Sequence, residues 1–212
     1  MGVPKSLTAA RLEPGASAAT AATPTDAQVL AGVVAGERWA HAALFDLLFP
    51  VVSRTLHKIL RDKSGDYEDL VQVSFERIVR TLVGDQRTQV VSLSAWAGSI
   101  AAHVALDALR GRMRERRLFE RDRAEAPRLE RVPAGNLEQQ LEARQKLEWL
   151  QKALANMNAD QAQTLLLHDV LGHGVNEIAG IMGVSPAAAQ RRLSRGHQEL
   201  MKRAAARDKE RS

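Results

Sequence analysis

The 212-residue chain contains no cysteine, and aromatic residues make up only 4% of it. Without cysteine, disulfides, thiolate metal sites and a cysteine nucleophile are excluded. This absence is compatible with a reducing cytoplasm, where we expect the protein to be located. No apolar run approaches the ~18 residues of a membrane span, so membrane insertion is not expected. Few aromatics, with 45% hydrophobic residues, favour an all-α protein over a β-sandwich.

Basic residues exceed acidic ones only modestly, with 30 Lys and Arg against 25 Asp and Glu. An excess of this size suits a polyanionic partner when the charge is clustered. Such a cluster lies between Arg110 and Arg123, where seven arginines accompany three acidic residues. A contact with phosphates and a solvated helix end are both compatible with this run.

Helical periodicity divides the chain into two small helical domains, residues 26–117 and 138–212. Residues 1–25 are rich in Ala, Thr and Pro and are interpreted as a disordered tail, without the apolar segment of a signal peptide. Residues 118–137 contain prolines, a glycine and mixed charges with few apolar anchors, which is typical of a flexible charged linker.

Turn and capping residues predict the helix boundaries of the first domain. The expected features are a cap at Asp26, a helix near Glu37 that Pro50 kinks or interrupts, an acidic start at Asp66–Asp69, a loop over Gly84–Ser92, and a cap at Ser94 for a helix that ends near Arg117.

The C-terminal domain contains a helix-turn-helix pattern. A short helix ends at Gly183, and Ser185 is suited to cap the next helix while Pro186 fits its first position. In that second helix Leu193 and Leu200 fall on one side, whereas Arg191, Arg195 and Lys202 fall on the other, beside Gln198. The pattern predicts that one face packs while the other meets DNA phosphates or base edges. An amphipathic surface helix with solvated charges is the alternative.

The helix from Ala95 carries a second polar stripe. Its members lie within about a quarter-turn of one another: Ser99, His103, Asp107, Arg110 and Arg114. Trp96 projects onto the same stripe. A basic helix with an aromatic side chain on its polar face suits nucleic acid, including unpaired bases that stack. Packing of Trp96 against a neighbouring helix is the alternative.

Three segments follow one another in the order of a known family. Residues 69–77 resemble a "DLVQ-x-x-F-x-R" helix, residues 95–110 resemble an "AW-x-x-x-IA-x-N-x-x-x-D-x-x-R" helix, and residues 177–195 resemble a C-terminal helix-turn-helix. The chain thereby resembles the extracytoplasmic-function (ECF) branch of the sigma-70 family of bacterial RNA polymerase sigma factors. The resemblance implies a non-catalytic subunit that binds core RNA polymerase and recognises promoter −10 and −35 elements.

The resemblance also implies roles for particular residues. The polymerase contacts, with the β′ clamp helices, would be Asp69, Gln72 and Arg77. The −10 DNA contacts would be Trp96, His103, Asp107, Arg110 and Arg114, with the loop before that helix. The −35 DNA contacts would be Ser185, Gln190, Arg191, Arg192 and Arg195. Further partners implied are the β flap of the polymerase, promoter DNA and an anti-sigma factor.

Four residues depart from the family pattern. Val73 replaces a common acidic residue and His103 replaces the usual Asn, while Ala188 and Gln190 stand where Thr and Lys are common. The last change removes a phosphate-binding charge, so an unusual −35 preference is expected.

Two other function classes remain as alternatives. A stand-alone helix-turn-helix regulator would bind DNA without polymerase, and would have no need of the "DLVQ" helix. An enzyme is not expected, because the chain has no Gly-rich phosphate loop and no GxSxG motif. His168, Asp169 and His173 lack the spacing of a zinc motif, so neither a metal nor a cofactor is expected.

Overall fold

The computed structural model describes residues 24–61, 66–84, 92–122 and 137–211. The all-α prediction is confirmed, since every regular element in these ranges is helical. The elements are α1 (Asp26–Val34), α2 (Arg38–Leu60), α3 (Tyr67–Gly84), α4 (Leu93–Asp122), α5 (Leu137–Ala155), α6 (Ala159–Leu165), a π-helical turn (Leu166–Val170), α7 (Val175–Met182) and α8 (Pro186–Arg211). Among the described helices, none has the length and apolar character that a membrane crossing requires.

Two predicted caps are wrong by one or two residues. Thr25, not Asp26, caps α1, because its hydroxyl accepts from the Gln28 amide while the Gln28 side chain accepts from the Thr25 amide. Ser92, not Ser94, serves the start of α4, since its hydroxyl accepts from the Ala95 amide at 3.3 Å. In both cases a hydroxyl three residues before the amide reaches it, and the helix begins earlier than predicted.

The predicted interruption at Pro50 is also wrong, because α2 runs from Arg38 to Leu60 through this residue. Proline removes the amide that would bond to the carbonyl four residues earlier, that of Asp46. Asp46 and Pro50 are both exposed, so water can satisfy that carbonyl. Leu48 and Val52 remain fully buried on the other side of the helix.

The two halves of the chain share one hydrophobic core. In α1–α4 it includes Leu44, Leu56, Ile78 and Leu106, and it continues without a break into residues of α5, α6 and α8 such as Leu165. A smaller cluster formed by Leu167, Ile178, Ala179 and Ala189 supports α7 and the start of α8. The helix-turn-helix is therefore held to the rest of the molecule by apolar packing.

Part of the predicted linker is helical. Helix α4 extends to Asp122, so residues 118–122 continue the helix, and α5 begins at Leu137. Residues 123–136 lie outside the described residues, as do residues 85–91 of the predicted Gly84–Ser92 loop and most of the predicted tail. The domain boundaries stay a prediction.

Gly196 marks a close approach of α8 to α6. A Cβ built on Gly196 would lie 2.9 Å from the Cγ of Leu165 and 3.4 Å from the carbonyl oxygen of Gln161. We expect Gly196→Ala to lower the free energy of unfolding by roughly 1–2 kcal/mol, since overpacking outweighs the better helix propensity of alanine. Chemical denaturation measures this. Gly111→Ala in α4, where a Cβ meets nothing within 4 Å, is the control and is expected to be neutral or stabilising. Equal effects of the two substitutions would contradict the close-packing explanation.

Candidate functional site

The turn between α7 and α8 has the predicted helix-turn-helix geometry. Gly183 ends α7 in the left-handed region at φ +63° and ψ +35°, and the Val184 amide donates to the Ala179 carbonyl at 2.9 Å. This is the hydrogen bond of a Schellman motif, and it requires a residue that tolerates positive φ. The Ser185 hydroxyl then accepts from the Ala188 amide at 3.2 Å, so the predicted cap is confirmed.

One face of α8 is exposed and polar, as the sequence predicts. Leu193 and Ala189 are buried, whereas the opposite face presents Arg191, Arg195, Gln198 and Lys202, and Gln190 is exposed at its flank. Gln190 Nε2 lies 3.5 Å from the Ser194 hydroxyl on the same helix, at the limit of a hydrogen bond. Arginine and glutamine on this face retain donors suited to phosphates and base edges.

Arg192 differs from its neighbours on α8. Its Nη2 atom lies 2.7 Å from Asp160 Oδ2, and its side chain is only 29% exposed. The guanidinium therefore pairs with the first turn of α6 and ties α8 to it. The prediction grouped Arg192 with the DNA-contacting arginines because sequence spacing does not show the partner in α6.

A second group of predicted residues meets at the junction of α3 and α4. Asp107 lies at its centre: Arg77 Nη1 donates to Asp107 Oδ2 at 3.0 Å, His103 Nε2 lies 3.6 Å from the same oxygen, and Arg110 Nη1 lies 3.7 Å from Oδ1. The prediction assigned Arg77 to polymerase and the other three to DNA. In the structure all four residues lie in one network that links α3 to α4, and both assignments stay predictions.

Trp96 is buried, so in this conformation its ring is not accessible to DNA, and its assignment as a −10 contact stays a prediction. Its exposed fraction is 8%, and it belongs to the core. The neighbouring Ser99 is also buried and donates to the Trp96 carbonyl at 2.7 Å. Helical projection places these residues on the polar stripe, but it cannot show that other helices cover that part of α4. Arg114, farther along the stripe, is exposed.

Two residues of the polar stripe contact the C-terminal helices. Arg110 donates from Nε to the Ala155 carbonyl and from Nη2 to the Met157 carbonyl, both at 3.3 Å. His103 Nδ1 lies 3.4 Å from Gln163 Oε1. These contacts join positions more than forty residues apart, and no local sequence pattern indicates them.

The exposed side of α3 combines polar and apolar residues. The predicted polymerase contacts Asp69 and Gln72 are exposed, and Gln72 donates to Glu76 at 3.0 Å. Beside them runs a shallow groove lined by Gln72, Phe75, Glu76, Val79, Arg80 and Val83. Val83 is 52% exposed. We call this groove the α3 groove.

Aromatic rings extend the apolar surface beyond the α3 groove. The ring of Phe75 lies 4.7 Å from that of Phe45, which lies 5.2 Å from that of Phe49. Phe45 and Phe49 are 43% and 39% exposed. No motif described in the sequence identified this surface. Two phenylalanines four residues apart on α2, beside the buried Leu44 and Leu48 stripe, were the available signal.

Two histidines flank Asp169, one of the residues considered as metal ligands. His168 Nδ1 lies 2.6 Å from Asp169 Oδ1, and His197 Nε2 lies 2.9 Å from Oδ2. Burial raises the pKa of Asp169, but hydrogen bonds with His168 and His197 outweigh it, so the pKa is lowered. The contact with His197 ties the π-helical turn to α8. The described residues contain no group of three such side chains that could hold a metal ion.

Comparison with known proteins identifies both halves of the chain. The family model "Sigma-70 region 2" matches residues 44–115, and "Sigma-70, region 4" matches residues 147–200. The chain is 26% identical over 179 residues to "ECF RNA polymerase sigma factor SigM" of Mycobacterium tuberculosis (strain ATCC 25618 / H37Rv), which covers 83% of each protein.

Two solved structures are similar at a lower level. One is CnrH in complex with the cytosolic domain of CnrY, with 17% identity and a TM-score of 0.47 over 84% of this chain and 96% of that chain. The other is the sigma factor RpoE in complex with the anti-sigma factor NepR from Bartonella quintana, with 22% identity and a TM-score of 0.42 over 76% and 94%.

Proposed function

The chain belongs to the extracytoplasmic-function branch of the sigma-70 family, and we propose that it directs transcription through three surfaces on α3, α4 and α8. A sigma factor binds core RNA polymerase and confers promoter specificity on it. The observation that carries the assignment of surfaces is the exposed basic face of α8, which follows the turn at Gly183. The same chain also exposes the α3 groove.

The basic face of α8 is the proposed −35 reader. Arg191 and Arg195 are exposed on the side opposite the buried Leu193, and Gln190 is exposed at the flank of that face. Their donors match guanine and adenine edges in the major groove. Arg192 positions α8 through Asp160 instead. Ser185 caps the helix beside the same surface and supports its orientation.

The proposed −10 surface lies on α4. Arg114 is exposed and Asp107 is 40% exposed, while His103 and Arg110 complete the stripe. Unpaired bases captured here would offset the cost of strand opening, which amounts to roughly a few kcal/mol per unstacked step. Trp96 is excluded from the surface as long as α4 is packed as in this structure.

The α3 groove is the proposed docking surface for the β′ clamp helices. Gln72 and Glu76 supply its polar edge, and Phe75, Val79 and Val83 supply apolar area that a helix can cover. Asp69 is exposed one turn before Gln72 on the same helix. A polar rim around an apolar centre is typical of protein interfaces. Arg77 acts through its ion pair with Asp107, which fixes α3 against α4. By family resemblance alone, we further propose a β-flap contact, a cytoplasmic location and regulation by an anti-sigma factor.

Reconstituted transcription tests the function. Core polymerase with this protein is expected to initiate at a defined set of promoters that core enzyme alone ignores, and mapping of the transcript ends would identify both elements. A stand-alone regulator would instead bind duplex DNA tightly without core enzyme and would direct no initiation. That second result would overturn the proposal.

A charge in the α3 groove should block polymerase binding without unfolding the protein. We expect Val83→Asp to weaken binding to core polymerase at least 10-fold, because a carboxylate would have to be desolvated in the interface. Pull-down and fluorescence titration measure this. Val34→Asp is the matched control, since Val34 is 48% exposed on α1, outside the groove. Equal affinities of the two variants would place the docking surface elsewhere.

Loss of an arginine from the exposed face of α8 should weaken promoter recognition. If Arg195 contacts a base, we expect Arg195→Ala to weaken the binding free energy for the −35 element by about 1–3 kcal/mol and to reduce initiation accordingly. Transcription from promoters with intact and scrambled −35 elements measures this, because the loss should appear only with the intact element. Lys209→Ala, at an exposed position near the end of the same helix, is the control. An equal loss on both templates would indicate a phosphate contact.

A further inference from the structure

The C-terminal half of α4 faces α5 and the end of α2 across an open cleft with a volume of about 1000 Å³. None of the residues proposed to contact promoter DNA or polymerase lines this cleft. Among the described residues, one carboxylate lines it, that of Glu148. Cationic side chains reach it from α4, from α5 and from the residue that follows α2: Arg61, Arg112, Arg116, Arg117, Arg144 and Lys152. We call it the basic cleft.

The arginine run of α4 is divided between two faces of the helix. Arg112 and Arg116 are four residues apart and line the basic cleft beside Leu109 and Met113. Residues three and four apart share one side of a helix. Arg114 is not among the lining residues and is exposed on the proposed −10 stripe. The run therefore supplies charge to two separate surfaces, whereas the sequence shows only that the charge is concentrated there.

Half of the cations in the basic cleft are not neutralised within the described part of the chain. Glu148 lies 3.7 Å from Arg144 on the same helix, and Arg112 lies 3.9 Å from Asp66, at the limit of an ion pair. The cations that form no ion pair with the described residues are Arg61, Arg116 and Lys152. Like charges that face a common space repel one another, and an anion between them removes that repulsion.

Arg61 lines the basic cleft from a backbone conformation that is unfavourable for arginine. It follows the last turn of α2 at φ +51° and ψ +8°, and among the described residues it is the only one other than glycine with positive φ. Glycine takes this position at a helix end at the lowest cost. Gln151 of α5 holds the turn, since it donates to the carbonyls of Ile59 and Leu60 at 3.1 and 3.0 Å. An arginine here thus lowers stability while its side chain adds charge to the cleft.

The basic cleft also has an apolar wall. Leu60 and Leu109 are buried, Met113 and Trp149 are half-buried, and all four line the cleft. Ligand sites are commonly clefts of roughly 300–1000 Å³ in which apolar side chains contact the body of the ligand while polar groups fix its orientation. Cations beside an apolar wall fit a ligand that joins several negative charges to an aromatic ring.

We propose that the basic cleft binds a nucleotide that carries several phosphoryl groups. Arg61, Arg116 and Lys152 bind the phosphoryl oxygens from three sides, and Met113 and Trp149 contact the base. Arginine forms paired hydrogen bonds with two phosphate oxygens, and lysine supplies a point charge. A compact anion can contact all three walls at once, whereas a duplex would meet only the rim. The site lies apart from the three surfaces of the proposed function and does not depend on them.

Calorimetric titration of the free protein tests the site. The probes are ATP, AMP and inorganic triphosphate, in buffer without magnesium so that the phosphoryl charge is not neutralised. ATP should bind at one site at least roughly 10-fold more tightly than AMP, and added salt should weaken it. No saturable binding of ATP at roughly millimolar concentration, or equal affinities for ATP and AMP, would overturn the proposal. Triphosphate that binds as tightly as ATP would overturn the contact with the base.

The variant Arg61→Gly separates a binding role of this residue from a structural one. Loss of the guanidinium should weaken ATP binding roughly 5-fold or more. Relief of the backbone should raise the midpoint of thermal denaturation of the free protein, because glycine adopts positive φ without strain. A residue with only a structural role would leave the affinity for ATP unchanged, and that result would contradict the proposal.

A pair of double variants distinguishes the site from a general effect of charge. Arg116→Ala, Lys152→Ala should weaken ATP binding roughly 10-fold or more, and ATP should no longer raise its denaturation midpoint. The control Arg54→Ala, Lys209→Ala removes two exposed cations outside the cleft and should bind ATP like the wild type. Equal losses in the two variants would overturn the site.

Single-stranded DNA is the rival occupant. An oligonucleotide that displaces ATP from the wild-type protein at equal phosphate concentration would identify nucleic acid as the ligand of the basic cleft and would overturn the proposal. All of these measurements use the free protein. Their outcome is therefore independent of whether the protein directs transcription with core polymerase.

Discussion

Burial of α4 among its neighbouring helices is the constraint on which the rest of the structure depends. Helix α4 packs against α2 and α3, and it also contacts α5, α6 and the π-helical turn. Alanines at positions 97, 101, 102 and 105 are fully buried and let these helices approach closely. The orientation of the helix-turn-helix relative to α3 follows from this packing, because the C-terminal helices have α4 as their main support.

Charge is distributed unequally around that helix. On the side of α3, one carboxylate, Asp107, is shared by Arg77, His103 and Arg110, so part of the positive potential is neutralised within the protein. Toward its C-terminal end α4 adds more arginines to a cleft with few acidic residues. The first arrangement stabilises helix packing, and the second leaves positive charge for an external polyanion. The role of an arginine thus depends on its neighbours. On α8, Arg192 pairs with Asp160, whereas Arg195 is exposed.

Features encoded by adjacent residues were predictable. The turn at Gly183, the cap at Ser185 and the two faces of α8 follow from positive-φ tolerance, a short hydroxyl side chain and helical periodicity, all of which act within a few residues. The exact starts of α1 and α4 were less predictable, because Thr25 and Asp26, or Ser92 and Ser94, are both competent caps. The prediction that Pro50 interrupts α2 was wrong, because the free-energy cost of a proline within a helix depends on whether solvent reaches the carbonyl that loses its donor.

The sequence by itself determined the all-α class, the family and the helix-turn-helix, since these depend on local patterns and on motif order. Only the tertiary structure decided which members of the α4 stripe are accessible. Trp96 is buried and Arg110 is bonded to Ala155 and Met157, although both project onto the same polar face as the exposed Arg114. A helical projection reports which residues share a face, whereas accessibility depends on what packs there, and that partner comes from residues more than forty positions away.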